Sequence, residues 1–532
     1  MAELLQEMTA LSASTQQVMV LCALLAMVLY YVFFPRKVIK GKTLPMPSDY
    51  YPIIGHVLNF DPDVILSYLH QNCIKFGGSY ELSIVGKRAL VLTEWESMKD
   101  VLLRRPKMFR RDSGMDSWGS DLNVLSGCFN VEGANEWGRI RRLSCAAFAP
   151  HHVDGMSTII TDECIAFLKR LDAAVIKQKQ DNVPIDGVEV MMQYTLNVII
   201  NLAFGSAALN SRYLKSPEIL PDMKALFTWI FRRLTVPFPS WVWNLYNDSL
   251  EQRGKHCSEM LDSVVADITK AYHENEEKKK GGSSDPVKKQ SDTTMFLTSL
   301  IRARLSDDAS DTSSRNHLSD TEIAAQIKTF LIAGTETTAV SIASAVQYLS
   351  EPQYTDIVDA LYNETKSVLS GERTPSSLEQ IRNMPKVTAF LKESMRLRGP
   401  APTSFNELVE SEKSAIIKGG YTVYPKDIIV CYTQMAVLDP EVFPDPYEFN
   451  PDRWINSSPE QLALMNERFL TFGYGPRICP GRRLAVMEAE AALATVVRNF
   501  KVTLACDPAE VKRIIQFTAK PSQLPLVLQP RD

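Results

Sequence analysis

The sequence lacks paired cysteines, a surplus of charge of either sign and, beyond its first 34 residues, any long hydrophobic run. Nine cysteines are scattered among 532 residues with no C-x-x-C pair, so we expect neither a disulfide framework nor a structural zinc site. Scattered thiols are typical of a reducing compartment. The net charge of −4 and the lack of zinc-finger, basic-zipper or RNA-binding signatures argue against a nucleic-acid-binding protein.

The long hydrophobic run covers residues 18–34, VMVLCALLAMVLYYVFF, and is near the lower length limit for a membrane-spanning helix. Basic residues follow it at positions 36, 37, 40 and 42 and none precedes it, which predicts a cytoplasmic C-terminal flank. The alternatives are a cleaved signal peptide, which would carry its positive charge first, and a buried core helix. We therefore predict a lumenal tail at 1–17, a transmembrane signal anchor at 18–34 and a basic, proline-rich linker at 35–55.

Hydrophobic periodicity predicts a mainly α domain with a small β region over residues 56–532. Strand-like runs at 80–85 and 88–92 predict a hairpin, and a polar segment at 274–318 predicts loops around a short apolar helix near 295–305. Ser319 and Glu322 form a capping box that opens a long helix running to about residue 350. Further helices are expected at 95–104, through most of 135–275, and at 482–499.

Residues 472–481 read FGYGPRICPG, a glycine-rich loop that carries Cys479. A deprotonated cysteine is a strong ligand for a haem iron. Gly473 and Gly475 allow tight turns and place N–H groups near the sulfur. The helix that follows Gly481 directs its N-terminus at the sulfur, and this stabilises negative charge there.

Two side chains of the same loop have predicted roles beside the cysteine. Arg477 is suited to neutralise a haem propionate, and Phe472 is suited to shield the sulfur from water. A buried cysteine in a glycine- and proline-rich loop is the alternative. Five fixed positions of an F-x-x-G-x-R-x-C-x-G pattern coincide, however, so the functional interpretation is favoured.

The segment AGTETT at 333–338 lies in the middle of the long helix, although glycine and threonine are poor residues for a helix interior. A threonine hydroxyl can bond back to a carbonyl and bend the helix, which makes room for dioxygen and water. Thr337 supplies a hydroxyl and Glu336 a carboxylate for proton delivery. A small-residue patch for helix packing is the alternative, but local departures from helix rules are expected chiefly at functional sites.

Together these residues resemble the cytochrome P-450 family over nearly the whole chain. The resemblance implies a cytochrome P-450 fold, a single large haem-binding domain behind an N-terminal transmembrane helix, and a haem b with Cys479 as its axial thiolate. The A-G-T-E-T segment is similar to the family motif A-G-x-[DE]-T. This implies cofactor-binding positions at Ala333 and Gly334 and catalytic roles for Glu336 and Thr337.

Five further polar residues match the family's patterns. Glu393 and Arg396 resemble E-x-x-R, and Arg453 stands in an N-P-D-R-W segment, so these three are expected to form a buried triad that stabilises the fold. Trp137 and Arg141 resemble W-x-x-x-R, which implies that both side chains meet a haem propionate.

One departure concerns the other propionate. The family often carries a basic residue at the place that falls near Asn406, and asparagine brings no charge, so a contact there is in doubt. Arg142 is a weaker candidate, and a solvated surface position is the alternative. The resemblance also places residues 107–130 over the distal pocket.

The aromatic stretch at 227–246 is expected near the membrane, where an apolar surface would admit fatty acids, terpenoids or sterols. Within it, Arg232 and Arg233 are candidates for contact with an anionic lipid head or a substrate carboxylate. A solvated charged face is the alternative.

These features predict a single-pass monooxygenase of the endoplasmic reticulum membrane with its catalytic domain on the cytoplasmic side. No flavin or nicotinamide motif is present, so electrons are expected from a separate NADPH-dependent flavoprotein reductase, or from a small haem protein, docked near Arg482 and Arg483. Three rivals remain. They are a haem-thiolate isomerase or dehydratase acting on a peroxide, a non-catalytic haem-binding protein, and a membrane protein without haem.

Overall fold

The computed structural model describes residues 44–51, 54–84, 86–111, 134–205, 211–235, 248–280, 296, 300, 318–409 and 411–531. The predicted tail and signal anchor lie outside these residues. So do most of the loop predicted at 107–130, the second half of the aromatic stretch and most of the polar segment before residue 318.

The described residues form a mainly helical domain. In chain order its helices are α1 (Ile65–Phe76), α2 (Trp95–Leu103), α3 (Ala134–Cys145), α4 (Pro150–Gly155), α5 (Ser157–Asp181), α6 (Gly187–Phe204), α7 (Ile219–Thr235), α8 (Ser249–Lys280), α9 (Asp320–Leu349), α10 (Thr355–Leu369), α11 (Leu378–Arg382), α12 (Pro385–Arg398), α13 (Arg453–Asn456), α14 (Pro459–Arg468) and α15 (Arg482–Asn499). Its strands are β1 (Tyr80–Ile84), β2 (Lys87–Leu92), β3 (Phe109–Arg110), β4 (Ile185–Asp186), β5 (Thr403–Leu408), β6 (Ala415–Ile417), β7 (Tyr421–Val423), β8 (Ile428–Tyr432), β9 (Phe500–Leu504), β10 (Arg513–Ile515), β11 (Ala519–Pro521) and β12 (Pro525–Pro530).

Helix α9 runs through the centre of the domain. Its predicted capping box is confirmed, because Ser319 Oγ accepts from the Glu322 N–H and Glu322 Oε2 accepts from the Ser319 N–H. The helix packs against α6, α12 and α15. Within the described part of the chain it is the one helix long and apolar enough to cross a membrane, but 83% of its apolar window is buried. It is therefore the core helix of the domain.

The predicted helices at 95–104 and 482–499 are confirmed as α2 and α15. The predicted start of a loop at residue 274 is wrong, because α8 continues to Lys280. Glutamate and lysine, which make up most of 274–280, are good helix formers, and the helix ends where two glycines follow.

A five-stranded sheet has the order β1-β2-β8-β5-β3. The predicted hairpin is present as β1 and β2, which pair antiparallel with Tyr80 opposite Val91. Strand β2 also pairs parallel with β8, and an ion pair of 3.1 Å between Arg88 and Asp427 links residues 339 positions apart. Strand β8 then pairs antiparallel with β5. The sheet therefore joins the first and last quarters of the described chain.

The end of the segment predicted as a linker lies against this sheet. The Pro45 carbonyl accepts from the Glu81 N–H at 2.9 Å, and His56 Nε2 lies 3.2 Å from the Pro47 carbonyl. Residues 45–47 are thus packed on the domain.

The structure brings Glu393, Arg396 and Arg453 together in the core. Glu393 is fully buried and accepts from Arg396 at 2.8 and 2.9 Å and from Arg453 at 3.0 Å. Trp454 Nε1 adds a fourth bond at 2.8 Å. Two guanidinium groups face one carboxylate, and main-chain carbonyls accept their remaining N–H groups. The arrangement ties α12 to α13.

Candidate functional site

A cavity of about 970 Å³ lies between the middle of α9 and the loop that carries Cys479. This volume is at the upper end of the range of about 300–1,000 Å³ for small-molecule sites. Most of the residues predicted to hold a cofactor line it, namely Cys479, Arg477, Phe472, Gly473, Gly481, Trp137, Arg141, Ala333 and Gly334. Thr337 lines it as well.

The thiol of Cys479 faces this cavity. Of the seven cysteines in the described residues, Cys479 is the exposed one, and the others are buried or half-buried. Its N–H donates to the Phe472 carbonyl at 2.8 Å. Gly473 and Gly475 both have positive φ, +78° and +71°, as the predicted tight turns require. The Gly473 N–H, however, donates to the Leu470 carbonyl and not toward the sulfur.

Close packing explains Gly475, whereas a side chain at Gly481 would make only ordinary contacts. A Cβ atom at Gly475 would lie 2.6 Å from the Leu102 carbonyl oxygen, so this position presses the loop directly against the end of α2. A Cβ atom at Gly481 would lie 3.9 Å from the Cys479 sulfur. Because Gly481 is the N-cap of α15, the positive end of that helix lies beside the thiol.

An indole and two guanidinium groups form one edge of the cavity. The Arg477 guanidinium lies 4.8 Å from the centre of the Trp137 ring, and that of Arg141 lies 5.9 Å from it. Arg141 also donates to the Ile478 carbonyl, which holds it against the ligand loop. Arg142 is exposed and does not line the cavity, which agrees with the solvated surface position given as its alternative.

On α9, the predicted back-bond is present. Thr337 Oγ1 donates to the Ala333 carbonyl at 2.6 Å, and Thr335 Oγ1 makes the equivalent bond to Leu331. The helix is nevertheless continuous from end to end. Gly334 permits close packing with α6, because a Cβ atom there would lie 3.0 Å from the side chain of Ile199.

Glu336 faces away from the cavity. Its side chain is fully buried, is not among the lining residues, and forms an ion pair of 3.0 Å with Lys520 on β11. Burial raises the pKa of Glu336, and the charge of Lys520 opposes this rise. Residues 336 and 337 are about 100° apart around the helix, so the pair predicted to act together has two different surroundings.

The predicted contact of Arg233 with a lipid head or substrate carboxylate is wrong, because Arg233 is buried, and Arg232 is half-buried. Arg233 is 2% exposed and pairs with Glu251 on α8, and Arg232 pairs with Asp248 and Glu251. Neighbouring Trp229 is buried and donates to Glu251 at 2.6 Å. The first part of the aromatic stretch therefore belongs to the core.

Three cavity or near-cavity residues carry no local sequence signal. Arg105, which follows α2, and Glu488, on α15, both line the cavity. Burial, reinforced by Glu163, raises the pKa of Glu488 well above its ordinary value. Lys520 reaches the site only through its pairing with Glu336. Each is placed by tertiary contacts that no sequence motif predicts.

The walls fit a haem. An accessible thiol suits a soft metal centre, apolar side chains suit the face of a macrocycle, and guanidinium groups suit its acidic edge. The donor set is therefore that of a haem-thiolate site.

Comparison with known proteins agrees with this geometry. The model of the family described as Cytochrome P450 matches residues 45–526. The chain belongs to the cytochrome P450 family. The predicted family, its haem-thiolate cofactor class and its oxidoreductase class are confirmed, and the predicted mainly helical fold with small sheets is that of the family.

Several curated P450 proteins are similar to this chain. A self-sufficient cytochrome P450 monooxygenase from Phanerodontia chrysosporium is 27% identical over 92% of this chain, which spans only 43% of that relative's length. The mitochondrial sterol 26-hydroxylase of Rattus norvegicus is 24% identical over 86% of this chain and 83% of its own length. Cytochrome P450 3A11 of Mus musculus is 26% identical over 93% of this chain and 92% of its own length.

Proposed function

We propose that this P450 is a membrane-anchored haem-thiolate monooxygenase that inserts one oxygen atom from dioxygen into an apolar, lipid-like small molecule. The observation that carries the proposal is the exposed thiol of Cys479 on the wall of a mainly apolar cavity that Thr337 and α9 also line. Fatty acids, terpenoids and sterols are the substrate classes that suit such walls.

In this proposal Cys479 would bind the haem iron through its sulfur, and Arg477, Arg141 and Trp137 would hold a propionate. The adjoining N-terminus of α15 favours the thiolate form of the cysteine. Phe472, Gly473, Gly475 and Gly481 shape the loop around it. When bound, the haem supplies the iron centre at which dioxygen is activated.

The residues of α9 hold protons on the other side of the cavity. Thr337 Oγ1 carries one proton, which it donates to the Ala333 carbonyl in this structure. Rotation of the hydroxyl redirects that proton into the cavity. Glu336 is a second proton carrier, and neighbouring Thr518, which lines the cavity, is the route to it. Lys520 orients this carboxyl.

The substrate class rests on the apolar side chains of the cavity wall. Aromatic and aliphatic residues from four separate segments line this region, namely Phe231, Phe405, Ile428, Ile515 and Phe517. Similarity to sterol 26-hydroxylases supports a sterol as one candidate. Such an apolar surface can bind a substrate without a polar anchor.

The remaining parts of the proposal concern the membrane and the electron supply. Residues 18–34 anchor the protein in the endoplasmic reticulum membrane, 1–17 are lumenal, and 35–55 lead to the cytoplasmic domain at 56–532. Electrons come from NADPH through a separate flavoprotein reductase, with a small haem protein as a further donor. Arg482 and Arg483 are exposed on the face behind Cys479 and suit an acidic partner.

Spectroscopy tests the ligand assignment. We expect the reduced enzyme to show a thiolate-type carbon-monoxide spectrum that Cys479→Ala abolishes and Cys506→Ala, at a half-buried cysteine away from the cavity, retains. An unchanged spectrum in Cys479→Ala would sink the assignment.

Reconstitution tests the reaction. Purified enzyme is combined with NADPH, a separate P450 reductase and panels of fatty acids, terpenoids and sterols, and the products are identified by mass spectrometry after reaction under labelled dioxygen. We expect one labelled oxygen atom per product. Turnover without dioxygen and NADPH would instead identify an isomerase or dehydratase. Turnover with NADPH alone would contradict the need for a separate reductase.

A further inference from the structure

Arg105 is a buried cation on the wall of the haem cavity. It follows α2, is 5% exposed and is one of the lining residues. Among the described residues no carboxylate pairs with it, in contrast to buried Arg396, Arg453 and Arg233, which each face a glutamate. Burial lowers the pKa of its guanidinium. A buried charge without a counter-charge is costly, so the site calls for an anion.

The guanidinium is held in place by neutral acceptors alone. Its N–H groups donate to Asn406 Oδ1 at 3.3 Å, Ser404 Oγ at 3.4 Å, the Tyr474 carbonyl at 3.2 Å and the Leu102 carbonyl at 3.5 Å. These bonds lie at or beyond the long end of the usual range. They orient the group, and within the described part of the chain they leave its charge without a counter-charge.

The position of Arg105 points to the haem. Its partner Tyr474 belongs to the ligand loop, five residues before Cys479, and the close approach of Gly475 to Leu102 presses that loop against the end of α2. Arg105 bonds to the residue just before the turn Gly475–Arg477, Arg477 ends that turn, and both arginines line the cavity. A haem b carries two carboxylates on one edge, and Arg477 with Trp137 and Arg141 accounts for one of them.

We propose that Arg105 binds the second haem propionate and supplies the charge that position 406 lacks. This rests on the haem site proposed above. Asn406 is the positioning residue: it is fully buried, is not among the lining residues, accepts from Arg105 through Oδ1 and donates through Nδ2 to the Ser404 carbonyl at 3.0 Å. A cation from the end of α2 thus takes the place of one from β5.

A carboxylate on a substrate would satisfy the same guanidinium, so the test separates the two sources. The first measurement is the rate at which the purified holoenzyme loses haem to excess apomyoglobin. We expect Arg105→Gln to lose haem about tenfold faster or more, because second-layer partners of a cofactor typically contribute that much. The matched control is Arg104→Gln, at the adjacent residue, which pairs with Asp100 and is not a lining residue. Its haem loss should match that of the unchanged enzyme.

Two further variants test whether a cation at this position holds the haem. Asn406→Arg in the Arg105→Gln background should return haem loss toward the original rate by supplying the cation from β5, and failure to do so contradicts the proposal. If Arg105→Gln does not fold, Arg105→Lys takes its place. We expect faster haem loss and an altered propionate band in the resonance Raman spectrum, and no change in either contradicts the assignment.

The second measurement is the binding of a long-chain fatty acid and of its methyl ester. Binding is monitored through the substrate-induced spectral shift. Unchanged haem loss in Arg105→Gln, with weakened binding of the acid alone, would assign Arg105 to substrate and overturn the proposal. The carbon-monoxide spectrum of the unchanged enzyme separates the two levels of failure. Lack of a thiolate-type spectrum contradicts the haem site itself, whereas a normal spectrum with equal rates of haem loss contradicts only the role of Arg105.

Discussion

Lys520 Nζ lies 3.0 Å from Glu336 Oε1, and this ion pair directs the acidic side chain of α9 toward β11 and away from the cavity. Burial raises the pKa of Glu336, while the charge of Lys520 lowers it. The lysine therefore controls how readily the carboxyl ionises, although it lies 184 positions away in the sequence.

Replacing Lys520 with methionine should change the pH dependence of turnover. Loss of the cation removes an influence that lowers the pKa of Glu336, so that pKa rises further. A carboxyl that delivers a proton to the cavity must start protonated, so the alkaline limb of the pH–rate profile should move to higher pH. Lys512→Met, at an exposed lysine near the same strand, is the control. Identical profiles for both variants would remove Glu336 from the relay.

Thr337→Val should uncouple oxygen consumption from product formation. The substitution removes the hydroxyl from the cavity wall with little change in shape, and loss of a positioned proton donor commonly costs about 100-fold or more in a proton-transfer step. We expect product per NADPH consumed to fall by roughly tenfold or more, with peroxide released instead. Thr335→Val removes the equivalent bond to an i−4 carbonyl from a residue that does not line the cavity, and should keep the ratio unchanged.

Glu393→Gln should destabilise the domain. Arg396 and Arg453 would lose the carboxylate that both contact, and breaking a buried pair in this way typically costs about 3–5 kcal/mol. Chemical denaturation followed by circular dichroism measures the free energy of unfolding. Glu96→Gln, which breaks an exposed pair with Lys418, should cost about 1 kcal/mol or less. Equal losses in the two variants would contradict the structural role of the triad.

Glu490 on α15 should make stability depend on pH. Burial raises its pKa to about 7, against an ordinary value of 4.5, with a hydrogen bond from Thr388 opposing the rise. The folded state keeps the proton longer than the unfolded state, so its contribution is complete below pH 4.5 and is lost as pH rises through 7. The loss should total about 3 kcal/mol.

Denaturation at several pH values tests this expectation. Glu490→Gln should lose about 3 kcal/mol less than the unchanged protein over this interval, because Glu488 and Glu336, whose pKa values burial also raises, are still present. Glu259→Gln, at an exposed position in α8, should follow the unchanged protein. A Glu490→Gln variant that still loses stability in parallel with the unchanged protein would assign the effect to another group.

Local signals in the sequence were sufficient for much of the fold and for the ligand loop. The capping box at Ser319 identified α9, because its two reciprocal bonds involve residues only three apart. Likewise, Cys479, Arg477, Gly473 and Gly481 share one wall of the cavity because they belong to one short segment.

Contacts between distant segments were not predictable in this way. Arg105 and Asn406 are 301 positions apart, and only the pairing of β5 with the rest of the sheet brings them together. Glu336 was correctly placed on α9, but its direction depends on Lys520, which pattern reading does not reveal. Arg233 was predicted to be accessible because the sequence around it does not show that it pairs with Glu251 on another helix.

The parallel pairing of β2 with β8 has a consequence for synthesis on the ribosome. At about 5–20 residues per second, the partner of β2 emerges on the order of tens of seconds after β2 itself. Throughout that interval β2 presents an open edge with unpaired N–H and C=O groups, to which another nascent chain can pair. Trp137 and Cys479 come together only at the end of it, so haem capture is a late event. The supply of haem and of chaperones therefore acts on the same short-lived, nearly complete chain.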